Sequence, residues 1–188
     1  MKSPAQRPLR SPAPQEYPNE TLPNVGSRSV PVIRSADDRG RLHSNADLAV
    51  IFLKEPLADS MPRLEIPEGE VQEGDAITMV GYSYGDDAAP NYGVRYFGSN
   101  RVSRLIHLET GSSIFRTDSK LLPDGSAASH MQSGDSGGAC VKNSHQNVLV
   151  GISTVGAKTP TGGHMSIFTS VYSHRRWLLQ MLEKAGKS

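Results

Sequence analysis

The sequence predicts an all-β fold closed by a single C-terminal helix. Three observations carry that prediction. Eighteen glycines and thirteen prolines stand against only 6% aromatic residues, a composition of many turns between short strands. Short apolar runs recur at Ala76–Tyr82, Asn147–Ser153 and Ser166–Val171, the last two rich in the β-branched residues that suit a pleated surface. From Ser173 onward the pattern changes: Trp177, Leu178, Met181 and Leu182 share one face at helical spacing.

In chain order, residues 1–25 carry Pro4, Pro8, Pro12, Pro14, Pro18 and Pro23 among polar residues, which predicts an extended loop or disordered tail. Val30, Val32 and Ile33 make a short strand, and Pro31 marks it as an edge. Ser35–Asn45 is loop-like. Asp47 opens the apolar run Leu48–Leu53, expected to be a buried strand. Glu55–Glu73, with Pro56, Pro62 and Pro67, is a connection. Strands are expected at 76–82, 93–97, 101–108, 112–117 and 147–153, and a last one at 166–171. Ser173 is the expected N-cap of a helix over about 174–184, with Lys184 and Lys187 at the end that favours cations.

The 188 residues suffice for one domain with a substantial core, or for two small packed barrels. A net charge of +1 gives no electrostatic pull toward nucleic acid or an anionic membrane. No apolar run approaches the ~18 residues of a membrane span, and Met1–Pro4 opens no secretory signal. The single cysteine, Cys140, excludes an intrachain disulfide. Its place at the start of a strand favours a small core residue over a reactive thiol. No metal or cofactor is expected.

The chemistry concentrates at Ser133-Gly134-Asp135-Ser136-Gly137-Gly138. Gly134 and Gly137 allow backbone conformations that a Cβ forbids. The amides of Gly134 and Ser136 can then serve one hollow in which an oxyanion develops during acyl transfer. This hexapeptide resembles the nucleophile loop of the trypsin- and chymotrypsin-like serine peptidases. Asn45–Leu53 is similar to the family's Asn-Asp-Ile-Ala-Leu-Leu type segment, which places the catalytic aspartate at Asp47. Asp47 precedes Ser136 by 89 residues, close to the roughly 93 that separate aspartate and serine in the Ser-His-Asp triad of that family. Ser166–Val171 resembles its Gly-Val-Tyr-Thr-x-Val strand. The resemblance runs from about Val30 to the C-terminus. It implies a trypsin-like double β-barrel: a partial first barrel over about 26–65, a second barrel over about 70–172, and the helix. It also implies that Thr154, Val155 and Gly156 lie beside the bound substrate backbone. There the family has Ser-Trp-Gly, and Tyr82-Ser83 likewise departs from its Gly-Trp-Gly.

A serine hydroxyl needs an adjacent base, and in this family the histidine lies roughly 45 residues before the aspartate. The first histidine here is His43, four residues from Asp47. His107, His130, His145, His164 and His174 follow the aspartate, whereas the family order is His, Asp, Ser. The expectation is therefore a chain that starts after the catalytic histidine, with an incomplete first barrel, inactive alone, and able to pair with a complementing N-terminal fragment. The family's N-terminal Ile-Val-Gly-Gly segment, whose freed amine pairs with the acid matching Asp135, has no counterpart either.

By the same resemblance, His130, six residues before Ser136, sits at the base of the primary specificity pocket. An acid there would select Lys or Arg; His130 removes that reason, and the alternative is a loop histidine facing water. His164, on a glycine-rich loop, either reaches the same pocket or lies on the surface. Two histidines near a pocket would favour an acidic or polar side chain. Three functions follow: a serine endopeptidase acting on protein or peptide substrates through Ser136 and Asp47; a peptidase-like module that binds peptides without cutting them; or a fragment that folds poorly. The family is most often secreted or periplasmic, but nothing in these residues assigns a compartment.

Overall fold

The computed structural model describes residues 47–53, 57–82 and 95–186. The expected tail over 1–25 and the strand expected at Val30–Ile33 lie outside them. Six strands form one closed barrel: β1 (Ala76–Gly81), β2 (Tyr96–His107), β3 (Ser113–Asp118), β4 (Ala139–Lys142), β5 (His145–Lys158) and β6 (His164–Ser170). They are ordered β1-β2-β3-β6-β5-β4, with β4 returning to β1, and every pairing is antiparallel. A helix, α1 (Arg175–Ala185), follows a single 3₁₀ turn at Tyr172–His174. The all-β class with one C-terminal helix is what the composition and the apolar runs predict.

The alternation along the strands explains the core. In β1 and β3 every second residue is buried, the period that places one face of a strand inward. Ile77, Met79, Val102, Phe115, Cys140, Val150 and Phe168 fill the barrel interior. Phe115 and Phe168 stack across β3 and β6 with centroids 4.9 Å apart and planes 14° apart. Cys140 is fully buried, and burial pushes its thiol pKa up, so it is a core residue rather than a reactive one.

Four local expectations need correction. The strands expected at 93–97 and 101–108 are one 12-residue strand, β2. An irregularity between Val102 and Arg104 in its pairing with β3 lets it bend around the barrel. Leu48–Leu53 is not a buried strand: residues 47–53 form no ladder, and Ile51 and Leu53 are 67% and 47% exposed. A strand needs a neighbouring edge for its amides and carbonyls, and among the described residues none pairs with 47–53; the edge of β5 at Val148 is taken by Glu65 instead. Ser173 does not cap α1. Its hydroxyl donates to the Ser170 carbonyl at 3.0 Å, and His174 holds the N-cap position without a side-chain bond. Of the expected helix face, Met181 is buried and Trp177 and Leu178 are half-buried, but Leu182 is 59% exposed.

His174 ties the helix start to pH. Burial holds its imidazole pKa below the ordinary value, partly offset by the nearby Glu70 carboxylate. Its Nε2 is buried with no hydrogen-bond partner. An unfolded chain binds a proton near pH ~6.5 that the folded chain refuses until lower pH. Stability is therefore undiminished by this group above that value and falls as pH drops through it. Melting temperature should be level from pH 8 to about 6.5 and decline from there to pH 5.5. His174→Gln should flatten that decline; an unchanged slope would assign the pH dependence to other groups.

Candidate active site

The residues Ser133–Gly138 form a turn between the loop that follows β3 and the start of β4. Gly134 and Gly137 have φ of +101° and +83°, the left-handed region that a side chain disfavours. The turn closes on itself and is then pinned to β5. The Asp135 carboxylate accepts the Gln132 amide at 2.9 Å, while the Asp135 amide donates to the Gln132 carbonyl at 3.1 Å. Gly137 donates to the Ser153 carbonyl at 2.8 Å, and the Ser153 amide donates back to the Gly138 carbonyl at 2.9 Å. Asp135 also packs directly on the Cα of Gly81, and Gly138 on the Val80 carbonyl, leaving no room for a Cβ at either glycine. The loop is thus held by β1 on one side and β5 on the other.

The geometry presents Ser136 to solvent. Its residue is exposed, and its hydroxyl donates a long bond of 3.5 Å to the Thr154 carbonyl. Ser136 and Gly134 line one open pocket of about 340 Å³ together with Val80, Gly81, Tyr82 and the remainder of the glycine turn. Among the described residues, the amides of Gly134 and Ser136 donate to no acceptor in the chain. Two idle donors beside an exposed hydroxyl are what stabilisation of a developing oxyanion requires.

Thr154 owes its position to an irregularity. Ser153 pairs with Phe168 and Val155 with Ile167, so Thr154 has no register partner on β6. A bulge of this kind re-aims a residue beside a site. Thr154, Val155 and Gly156 therefore lie on β5 alongside the nucleophile loop, with Val155 45% exposed. Gly156 sits against Met131, whose carbonyl would lie 2.8 Å from a Cβ there.

The two histidines meet. The rings of His130 and His164 stack with centroids 3.8 Å apart and planes 15° apart, and both residues are half-buried. Neither is simply a surface residue. Asp47 is exposed and is not among the lining residues of the Ser136 pocket. His43 lies outside the described residues. The wall contributed by Tyr82, 51% exposed, was marked in the sequence only by its place at the end of a strand. The polar clamp of Ser119 on the backbone of His164 had no sequence signal at all.

The trypsin family model matches residues 19–178, well over half of the chain. Among solved structures, the chain is similar to an inactivated protease paralogue of the scabies mite, S-I1. That likeness has 22% identity and a TM-score of 0.56, and covers 84% of this chain and 68% of the other. It is also similar to kallikrein-related peptidase 10, with 19% identity and a TM-score of 0.51, covering 76% of this chain and 70% of that one. No curated protein matches the chain significantly. The closed antiparallel barrel and the glycine-flanked serine lie within the family match, which ends in the first turn of the C-terminal helix, and the chain belongs to the trypsin family.

Proposed function

We propose that this chain carries the nucleophile side of a serine endopeptidase centre. The observation that supports it best is the Ser136 turn, where the exposed hydroxyl and two residues with unengaged amides, Gly134 and Ser136, line one pocket. Ser136 Oγ attacks the scissile carbonyl as a histidine base takes its proton. The amides of Gly134 and Ser136 hold the resulting oxyanion, and the imidazolium returns the proton to the leaving amine. Water then hydrolyses the acyl-enzyme by the same base. Substrate backbone lies along Thr154, Val155 and Gly156, with His130 at the base of the side-chain pocket. Asp47 orients the base, which comes from a segment carrying the family's histidine.

A second reading is a non-catalytic peptide-binding module. It draws on the hydroxyl of Ser136, which is bonded to a carbonyl and not to an imidazole, since a serine without a base is a poor nucleophile. One experiment separates the two. The purified chain is treated with a serine-directed phosphonylating reagent, alone and with a polypeptide bearing the upstream strands and histidine of this family. Labelling at Ser136 should appear only in the second sample and vanish in Ser136→Ala. Absence of labelling in both, with peptide binding retained, would favour the binding module.

A further inference from the structure

Strand β2 carries two residues that strands ordinarily avoid, Gly98 and Asn100. Both stand on the side of the strand where apolar residues belong. Asn100 is opposite Ile77 and Gly98 opposite Met79, so the two share the face of these core residues. In the sequence, Gly98–Asn100 falls between the strands expected at 93–97 and 101–108. The fold uses it as a notch in one continuous strand.

The loop that leads from β3 to the nucleophile turn enters this notch at Ser129. The Ser129 side chain packs directly on the Cα of Gly98, where a Cβ would overlap it, the close approach that a strand glycine permits. The Ser129 amide donates to the Ser99 carbonyl at 2.9 Å. The side chain of Asn100, 4% exposed, completes the seat. Its Nδ2 donates to the Ser129 carbonyl at 2.7 Å and to the Asp118 carbonyl at 3.3 Å, while its Oδ1 accepts the Arg101 amide at 2.6 Å. Asp118 is the last residue of β3. One buried amide thus clamps the loop both where it leaves the sheet and where it returns. Between these points the Ala128 amide donates to the Lys120 carbonyl at 3.0 Å, closing the excursion on itself.

Beyond Ser129 the anchoring continues to the nucleophile. The Met131 amide donates at 2.9 Å to the fully buried Ser166 hydroxyl, and the Gln132 amide donates at 2.9 Å to the Asp135 carboxylate, beside Ser136. A displacement at the entry is therefore passed on to the turn, and misplacing a reacting group by about 1 Å can cost ~10²-fold in rate. We propose that Asn100 is a positioning residue: by clamping Ser129 and Asp118 it sets the place of the turn that presents Ser136 and the Gly134 amide. The placement is a property of the fold, and its bearing on reactivity rests on the proposed role of Ser136.

Amide hydrogen exchange, followed by NMR in the full chain, reads the placement without any base. Two groups of amides are compared: Gln132, Asp135 and Gly137 at the turn, and Asn143 and Val171, whose bonds to the Ala76 and Val150 carbonyls involve no residue of the loop. Asn100→Ala strips the donor from two carbonyls and should speed exchange at the turn about tenfold more than at Asn143 and Val171. Ile77→Val, directly opposite Asn100 but without its bonds, should speed both groups alike. Gly98→Ala drives Ser129 from the notch without touching Asn100, and should also loosen the turn selectively. Adding Ser129→Gly to Gly98→Ala should reverse that loosening, because the nearest remaining atom, the Cα of residue 129, lies 3.9 Å from the added Cβ. Equal acceleration of the two groups in both Asn100→Ala and Gly98→Ala would make the notch a stability element and overturn the inference. In the chain paired with a histidine-bearing segment, Asn100→Ala should lower the rate of Ser136 phosphonylation at least about tenfold. An unchanged labelling rate despite a loosened turn would overturn the positioning role. Absence of labelling in the unsubstituted pair would overturn the peptidase reading alone, since the exchange result stands without it.

Discussion

Asp47→Asn should lower the rate of Ser136 phosphonylation by about 10⁴-fold in the chain paired with a histidine-bearing segment. The expectation follows from tautomer control. A carboxylate accepts the Nδ1 proton of the base and leaves the opposite nitrogen free to take the serine proton, while asparagine can donate and stabilise the wrong tautomer. In the chain alone the same substitution should change nothing, because Asp47 is exposed and stands outside the residues lining the Ser136 pocket. The proposed role requires Asp47 to be brought to the Ser136 pocket in the paired sample. A paired sample in which Asp47→Asn labels at the unsubstituted rate would remove Asp47 from the mechanism, even if Ser136 remained the nucleophile. Comparing association of the two polypeptides before and after the substitution separates a catalytic loss from a failure to assemble.

The largest expected effect on stability comes from Phe168→Ala, at about 3–5 kcal/mol by chemical denaturation. Phe168 is fully buried and stacks on Phe115 at 4.9 Å, so truncation loses both the transfer of the ring out of water and the aromatic contact. Against the ~5–15 kcal/mol that holds an ordinary domain together, that is a large fraction. The loss also reaches the site. Phe168 is opposite Ser153 in the ladder, and Ser153 is the residue whose amide and carbonyl pin Gly138 and Gly137. A Phe168→Ala chain that still folds should therefore show faster hydrogen exchange at the Ser136 turn as well as in β6. A cost below about 1 kcal/mol would mean that the barrel collapses around the lost ring far better than a close-packed interior allows.

Much of this protein was written locally. The φ-positive glycines that flank Ser136, the alternation that buries Ile77 and Met79, and the helical spacing of Trp177, Leu178 and Met181 are properties of short windows. Backbone sterics and side-chain period act over a few residues, so such features can be read without knowing what lies across the fold. The expected helix cap at Ser173 failed because a 3₁₀ turn over Tyr172–His174 puts the helix start one residue later, at His174, and the Ser173 hydroxyl donates back to the Ser170 carbonyl. The Leu48–Leu53 run failed as a strand for a different reason: apolar content marks a segment as able to pair, but only a partner edge makes it a strand, and none of the described strands pairs with it.

What the sequence determined by itself was the barrel's strand pattern, its closing helix and the chemical character of the serine turn. The tertiary structure alone decided three things: that Thr154 slips out of register to face Ser136, that Asp135 lies on Gly81, and that His130 and His164 stack. His130 and His164 are 34 residues apart along the chain, and no periodicity connects them. Their meeting is a consequence of β5 and β6 running antiparallel past the nucleophile loop, with Ser119 and Ser166 supplying the hydrogen bonds that hold each backbone in place. Contacts of that kind depend on how strands are ordered around a barrel, information that resides in the packing of the whole chain and in no single stretch of it.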